Sequence, residues 1–254
     1  MEDLSSYSLA GTLCLVTGGG TGIGRGIAAS MAAAGARVII TGRRSGPLED
    51  VRAEVGTAVI PVVHDVSDLP AIPAFLDSLE REYGPISTLV NNAGVHQKKS
   101  SFEVTDEDLD HVLLTNARAV FALTREAALR MSRRDGGSIQ IISSMAALFG
   151  IPYVASYTMS KAAVSGLVRE LAVEWGEYGI RINAIAPGFI RTEMSGKALD
   201  NDPERKAKVL GRTPMNRLGS PTEIGTVSAF LASKAASFIH GITIPVDGGA
   251  AVGF

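Results

Sequence analysis

Seven short apolar runs punctuate the chain: TLCLVT (12–17), RVIIT (37–41), AVIPVV (58–63), ISTLVN (86–91), SIQIIS (138–143), RINAIA (181–186) and ITIPVD (242–247). They are rich in Val, Ile and Leu and lack clean polar alternation, the pattern of strands covered on both faces. Helix-like segments lie between them. GIGRGIAASMAAAG (22–35) is rich in small residues, and LPAIPAFLDSLEREYG (69–84) ends on Gly84. The stretch from Thr105 to Arg134 opens at a threonine cap and closes on basic residues, as capping and the helix dipole favour. Strand–helix alternation along the whole chain predicts an α/β fold, a single doubly wound domain over residues 1–254 with a seven-stranded parallel sheet and helices on both faces.

No low-complexity linker divides the chain and no internal repeat is evident. The segment from Arg191 to about Arg212, RTEMSGKALDNDPERKAKVLGR, resists assignment, being charged and poor in large apolar residues. It reads either as a solvated surface excursion or as a lid over a site, since long irregular segments in compact domains are often binding loops.

Composition narrows the classes. The 254 residues carry 24 Lys and Arg against 26 Asp and Glu, a net charge of -2, and acidic and basic groups alternate within short windows. Neither nucleic acid nor a membrane surface is expected as the main partner. No apolar run approaches the ~20 residues of a membrane span, and the acidic start MEDLSS lacks the basic and apolar regions of a secretory signal. A lone cysteine, Cys14, excludes a disulfide framework within the chain and makes a reducing cytoplasm the default expectation. Histidines 64, 96, 111 and 240 show no metal-ligand spacing, so no metal site is expected.

The first strand runs directly into VTGGGTGIGRGIA, with glycines at 18, 19, 20, 22 and 24, and a helix pattern follows. A strand, a glycine turn and a helix in that order are the context of a dinucleotide-binding, Rossmann-type fold: glycine lets the backbone approach a pyrophosphate, which the N–H groups of the new helix then face. The residues of that turn and first helical turn, Gly18, Gly20, Thr21, Gly22, Ile23 and Gly24, are the first candidates for cofactor binding. At the end of the second strand, VIITGRR places Gly42 where an acid would hold an unphosphorylated ribose, and Arg43 and Arg44 follow it. A missing carboxylate with two added guanidinium groups favours a 2′-phosphate, hence NADP over NAD. These arginines also read as solvated loop residues.

The form T-G-x-x-x-G-x-G at Thr17, Gly18, Gly22 and Gly24 resembles the short-chain dehydrogenase/reductase family. The resemblance continues in order from residue 10 to 250. HDVSD supplies Asp65 and Val66, which in this family border the adenine. NNAG supplies Asn91 to Gly94 beside the central strands, with Asn92, Ala93 and Gly94 implied at the cofactor. APGFIRT supplies Pro187, Gly188, Ile190 and Thr192, whose counterparts hold the nicotinamide carboxamide, and VDGG at 247–249 is similar to the usual last-strand ending.

In SYTMSKAAVSGLVRELAVEW (156–175), Tyr157 and Lys161 stand one helical turn apart and project from one side. The family's Asn/Ser/Tyr/Lys set is implied at Asn116, Ser144, Tyr157 and Lys161, with Ser144 thirteen residues before Tyr157 and Asn116 twenty-eight before Ser144. Ser144 is preferred to Ser143 on that spacing, although either hydroxyl reads as a strand-end group bonded to backbone. Moving a hydride to or from an alcohol carbon requires a proton transfer at its oxygen, and a phenol of pKa near 10 is a poor base at neutral pH. An adjacent ammonium lowers that pKa, which Lys161 is expected to do for Tyr157. Ser144 would bond the substrate oxygen. By resemblance, Tyr157 and Lys161 also contact the cofactor, Lys161 through the ribose hydroxyls, and Asn116 anchors a water linking Lys161 to solvent.

Two details are similar to the gluconate 5-dehydrogenase and 2-deoxy-gluconate 3-dehydrogenase branch. These are the basic Lys98 and Lys99 in NNAGVHQKKSSF, and Met145 directly after Ser144. A cation facing the pocket would pair with a sugar-acid carboxylate, which makes Lys98, Ser144, Met145 and Tyr157 the candidate substrate contacts. Lys98 and Lys99 read equally as solvated charge. The resemblance implies a small-molecule substrate such as gluconate or 5-keto-gluconate. A 3-oxoacyl-[acyl-carrier-protein] reductase is the alternative, and a nucleotide-sensing module without catalysis the non-enzymatic one. It also implies a homotetramer, with which the apolar Val164, Leu167, Val168, Leu171 and Ala172 on more than one face of the helix from Ser156 are consistent.

Overall fold

The computed structural model describes residues 4–253, except for the side chains of residues 4, 194, 197 and 198; the ends of the predicted 1–254 domain lie outside that range. Seven strands form one parallel sheet: β1 Leu13–Thr17, β2 Arg37–Gly42, β3 Val59–Val63, β4 Thr88–Asn91, β5 Gly137–Ile142, β6 Ile180–Pro187 and β7 Thr243–Val246. Each coincides with a predicted run to within about two residues, the usual scatter at strand ends. The order is β3-β2-β1-β4-β5-β6-β7. Chain direction across the sheet therefore reverses beside β1, and the crevice at such a switch point is where open α/β sheets bind ligands.

The absence of polar alternation follows from burial on both faces. Along β1, Leu13 and Leu15 face one core and Cys14 and Val16 the other. The first core is closed by α3 (Ile72–Tyr83), α5 (Ala119–Met131) and α6 (Ala155–Trp175). The second is closed by α1 (Gly22–Ala33), α2 (Ser45–Val55) and α9 (Pro221–Ala232). Glycine permits the contact of α1 with α9, because a Cβ on Gly225 would stand 2.3 Å from the Gly26 carbonyl oxygen. Cys14 is buried, and desolvation lifts its thiol pKa to about 11, so it behaves as a small apolar side chain.

Three expectations change. The long helix predicted from Thr105 does begin at a Thr105–Asp108 capping box, as α4 (Asp106–Leu113), but a π turn at Leu114–Arg118 separates it from α5. The extra residue in that turn breaks the 3.6-residue rhythm around Asn116.

Residues 191–212 are not irregular: α7 (Glu193–Asp200) and α8 (Pro203–Arg212) occupy most of them. Local signals build α8, with Asp202 accepting the Arg205 N–H at 3.0 Å, Pro203 at the first position, and Glu204 paired to Lys208 at 2.6 Å. A search for apolar periodicity passes over such a helix, whose only described buried side chain is Val209.

The apolar residues of α6 are also accounted for within the chain, since Val164, Val168, Leu171 and Ala172 are buried and Leu167 packs against the same core. The exposed large apolar side chains of α6 are Met159 and Val173.

Candidate functional site

The C-terminal ends of the central strands converge on a cavity of about 220 Å³. Its walls include Gly18, Gly20, Thr21, Arg43, Arg44, Asp65, Val66, Ala93 and Gly94 of the predicted cofactor set, together with His64 and Thr115. Thr17 holds the crevice together: its Oγ1 accepts the N–H groups of Asn92 and Ala93, each at 3.0 Å. Asn92 returns Nδ2 to the carbonyls of Thr17 and Gly18 at 2.9 and 3.0 Å. Gly24 lies behind the wall, where a Cβ would sit 2.2 Å from the Gly18 carbonyl oxygen. Thr21 enters α1 with no side-chain cap, leaving the first-turn N–H groups without a side-chain acceptor, as a pyrophosphate site requires.

Arg43 and Arg44 are exposed and have no carboxylate partner among the described residues. Asp65 spends its carboxylate on Ser67, bonding N–H at 2.9 Å and Oγ at 2.7 Å; these bonds, with the Arg43 charge behind them, hold its pKa below the ordinary range. Pro187, Gly188 and Ile190 lie at and beyond the end of β6, and are not in the cavity wall. Ile190 packs its side chain into the α1/α9 core, so only its backbone is left to face a ligand. Thr192 closes back on the turn, its Cγ2 lying 3.2 Å from where a Gly22 Cβ would be.

The four candidate reaction residues come together next to this cavity. Asn116 is fully buried: Oδ1 accepts the Val95 N–H at 2.8 Å, while Nδ2 donates to the Val95 carbonyl at 2.9 Å and to Ser160 Oγ at 3.1 Å. Ser160 in turn donates to the Tyr157 carbonyl at 2.7 Å. The π turn thus ties the Gly94–Val95 segment to the helix bearing Tyr157. Ser160 escaped the sequence reading, because a serine one turn along that helix carries no signal of its own.

Between the two serines the structure separates the roles. Ser143 bonds Ser165 Oγ at 2.8 Å and the Lys161 carbonyl at 3.2 Å, which makes it a buried packing group. Ser144 instead accepts the Ala146 N–H at 3.1 Å and stands near enough to the Tyr157 hydroxyl to act on its pKa. Met145, the candidate substrate contact beside it, is only 5% exposed.

The electrostatics differ from expectation. Lys161 places Nζ 5.6 Å from the Tyr157 ring centroid and donates to the Ile142 carbonyl at 2.7 Å. Burial drives the ammonium pKa down to about 8, and burial also raises the Tyr157 phenol above its ordinary value, the Ser144 hydroxyl opposing this only in part. The net direction at Tyr157 is upward, with burial its largest cause. Burial pushes both groups toward their neutral forms, because desolvation penalises the charged state of each.

Lys99 leaves the list of candidate pocket cations. It pairs with Asp108 at 2.6 Å, and that bond leads in holding the Asp108 carboxyl at about 2. Lys98 is exposed and makes no ion pair among the described residues. His96, which the sequence reading did not select, stacks obliquely on Tyr157 with ring centroids 4.8 Å apart. Burial lowers its pKa first, and the charges of Arg205 and Lys98 add to the effect. No group of three or more His, Cys, Asp or Glu that could hold a metal ion forms among the described residues, and none of their helices is long and apolar enough to cross a membrane.

The arrangement is a crevice walled by the glycine turn, Arg43, Arg44 and Asp65, adjoining Ser144 and Tyr157 beside a buried lysine. Comparison with known proteins agrees with it. Residues 18–251 match the family model described as enoyl-(acyl carrier protein) reductase. The chain is 37% identical to a 2-dehydro-3-deoxy-D-gluconate 5-dehydrogenase of Escherichia coli (strain K12), covering 97% of this chain and 98% of that one. It is 35% identical to a 3-oxoacyl-[acyl-carrier-protein] reductase of Salmonella typhimurium, covering 95% and 98%. The crystal structure of a gluconate 5-dehydrogenase from Burkholderia cenocepacia in complex with NADP and tartrate superposes with a TM-score of 0.92 at 33% identity, over 98% of this chain and 99% of that one. With a seven-stranded doubly wound sheet and relatives matched over nearly their full length, the chain belongs to the short-chain dehydrogenase/reductase family of oxidoreductases.

Proposed function

We propose that this chain interconverts a secondary alcohol and a ketone on a sugar acid of the gluconate/5-keto-gluconate kind, with NADP as cofactor. The observation that carries the reaction is the meeting of Ser144, Tyr157 and the buried Lys161, with the Lys161 Nζ 5.6 Å from the Tyr157 ring centroid and the Ser144 hydroxyl close enough to influence the phenol. NADP, when bound, supplies or accepts the hydride at its nicotinamide. The chain's own residues handle the oxygen. Ser144 donates to the carbonyl oxygen and stabilises charge developing there, and Tyr157 delivers its proton to that atom in the reductive direction. The phenol is protonated at neutral pH, as a donor must be, and transfer of its proton follows as hydride arrival makes the substrate oxygen an alkoxide. Lys161 and the Asn116–Ser160 bonds fix the helix face on which Tyr157 stands.

Arg43 and Arg44, exposed at the cavity wall with no acid in the position of Gly42, support the choice of NADP. A relative crystallised with NADP and the hydroxy acid tartrate supports both the cofactor and the acidic substrate. Reduction of an acyl-carrier-protein-bound 3-oxoacyl group is the second reading, favoured by the 35% identical reductase. Purified protein with NADPH is expected to reduce 5-keto-gluconate in preference to acetoacetyl thioester, and the reverse preference would select the second reading. Tyr157→Phe is expected to lower kcat by at least about 100-fold, the low end of general acid–base contributions; a Phe variant as active as wild type would remove the proposed chemistry. We place the enzyme in the cytoplasm as a homotetramer, with exposed apolar side chains such as Phe121, Leu129 and Val173 as contact candidates. Sedimentation as a monomer at micromolar concentration would overturn that assembly.

A further inference from the structure

α8 carries its cations in two groups. Lys206 is paired with Asp200 at 2.9 Å and Lys208 with Glu204 at 2.6 Å. Arg205 has no carboxylate partner among the described residues. Its position on the helix is informative: residues 205, 209 and 212 stand at i, i+4 and i+7, on one face. Val209 on that face is buried, and the Arg212 guanidinium lies 3.9 Å from the centroid of the Phe149 ring. Phe149 belongs to the loop that leaves Ser144, so the Arg205 face is the one that α8 turns toward the reaction site. In the segment after Gly94, Lys98 is the lysine left without an ion pair once Lys99 is bound to Asp108. The charges of Arg205 and Lys98 are both felt at His96, whose ring lies 4.8 Å from that of Tyr157.

Two cations without carboxylate partners, whose charges both reach the ring that stacks on Tyr157, make a local field that favours an anionic ligand. We propose that Arg205 is a specificity-determining residue that, from α8, binds the substrate carboxylate together with Lys98 while the ketone lies at Ser144 and Tyr157. A guanidinium suits this position because its planar fork can take both carboxylate oxygens. The inference rests on the sugar-acid reading above and adds to it a residue from a segment in which the sequence pattern singled out no contact.

The test compares 5-keto-gluconate with L-sorbose, the same ketose chain with CH2OH in place of the carboxylate, both reduced by the full-length enzyme with NADPH. Arg205→Ala is expected to raise KM for 5-keto-gluconate about tenfold or more, as for loss of a charged hydrogen bond. It should leave kcat within a factor of two or so and kcat/KM for L-sorbose unchanged, and Arg205→Lys should recover part of the loss. Arg205 is exposed, so both variants should melt as wild type does. If wild type favours the acid but Arg205→Ala keeps its KM, or loses equally on both substrates, the assignment of Arg205 is wrong and the sugar-acid reading stands. A wild-type enzyme with no preference for the acid removes both.

Discussion

Replacing Lys161 by methionine is expected to make the protein more stable while destroying its activity. Lys161 is 5% exposed, and burial takes its ammonium from the ordinary 10.5 down to about 8. At about 1.4 kcal/mol per pH unit, the folded state at pH 7 holds a charge that costs it roughly 3 kcal/mol relative to the unfolded chain. Methionine keeps the length of the stem and removes the charge, but it also removes the donor to the Ile142 carbonyl at 2.7 Å. That carbonyl lies just past the last β4–β5 pair, Asn91 with Ile141, and leaving it unpaired costs about 1–2 kcal/mol. The balance is a gain of about 1–2 kcal/mol at pH 7, or roughly 2–8 °C in Tm for a chain of this size.

The pH dependence carries the sign. Below pH 8 both states of the wild type bind the proton and the full penalty applies. Between 8 and 10.5 the unfolded chain binds it and the folded one does not, so wild-type stability rises with pH. Above 10.5 the penalty is gone while the variant still lacks its hydrogen bond, so the order of stabilities inverts. Urea unfolding of both proteins at pH 7 and near pH 10.5 measures the difference directly, because the other alkaline titrations are common to both. A variant less stable than wild type at pH 7, or a difference that does not change with pH, would refute the argument that burial dominates this lysine.

Tyr153 occupies the left-handed region at φ 69 although it is not glycine, and more than half of its side chain is exposed. Tyr153→Gly should relieve about 1 kcal/mol of strain, less the entropy glycine adds to the unfolded chain, and a measured fall in Tm would show that the ring contributes more than the backbone costs. Arg43→Asp should lower the NADP-over-NAD ratio of kcat/KM by about tenfold or more, by removing a guanidinium and restoring an acid near the ribose; an unchanged ratio would mean that the phosphate is held elsewhere.

The parts of this molecule legible in the sequence are those set by chain-local patterning. Each strand was a continuous Val/Ile/Leu run because both of its faces are covered, as the split of Leu13 and Leu15 from Cys14 and Val16 makes plain. The glycine turn was legible because its spacing is dictated by backbone contact, Gly24 against the Gly18 carbonyl. Spacing likewise separated Ser144 from Ser143, and the bonds of Ser143 to Ser165 and Lys161 give the physical reason. What stayed hidden depends on which group a side chain meets after folding. Lys98 and Lys99 are equivalent in sequence until Asp108 captures one of them. Nothing near His96 announces that its ring will meet Tyr157, and nothing in α8 announces that Arg205 shares a face with the residue resting on Phe149.

The largest divergence is in sign. A tyrosine and a lysine one turn apart suggest attraction between phenolate and ammonium, but that reasoning treats both charges as if solvation were free. In the folded chain Lys161 is buried and its Nζ is committed to the Ile142 carbonyl, and burial is the largest cause of the shift at each group. Proximity in sequence predicts which groups can interact; the dielectric around them decides whether they are charged when they do. With its pKa lowered to about 8, Lys161 still carries its proton at pH 7 but lies close enough to neutrality to exchange it in mildly alkaline solution.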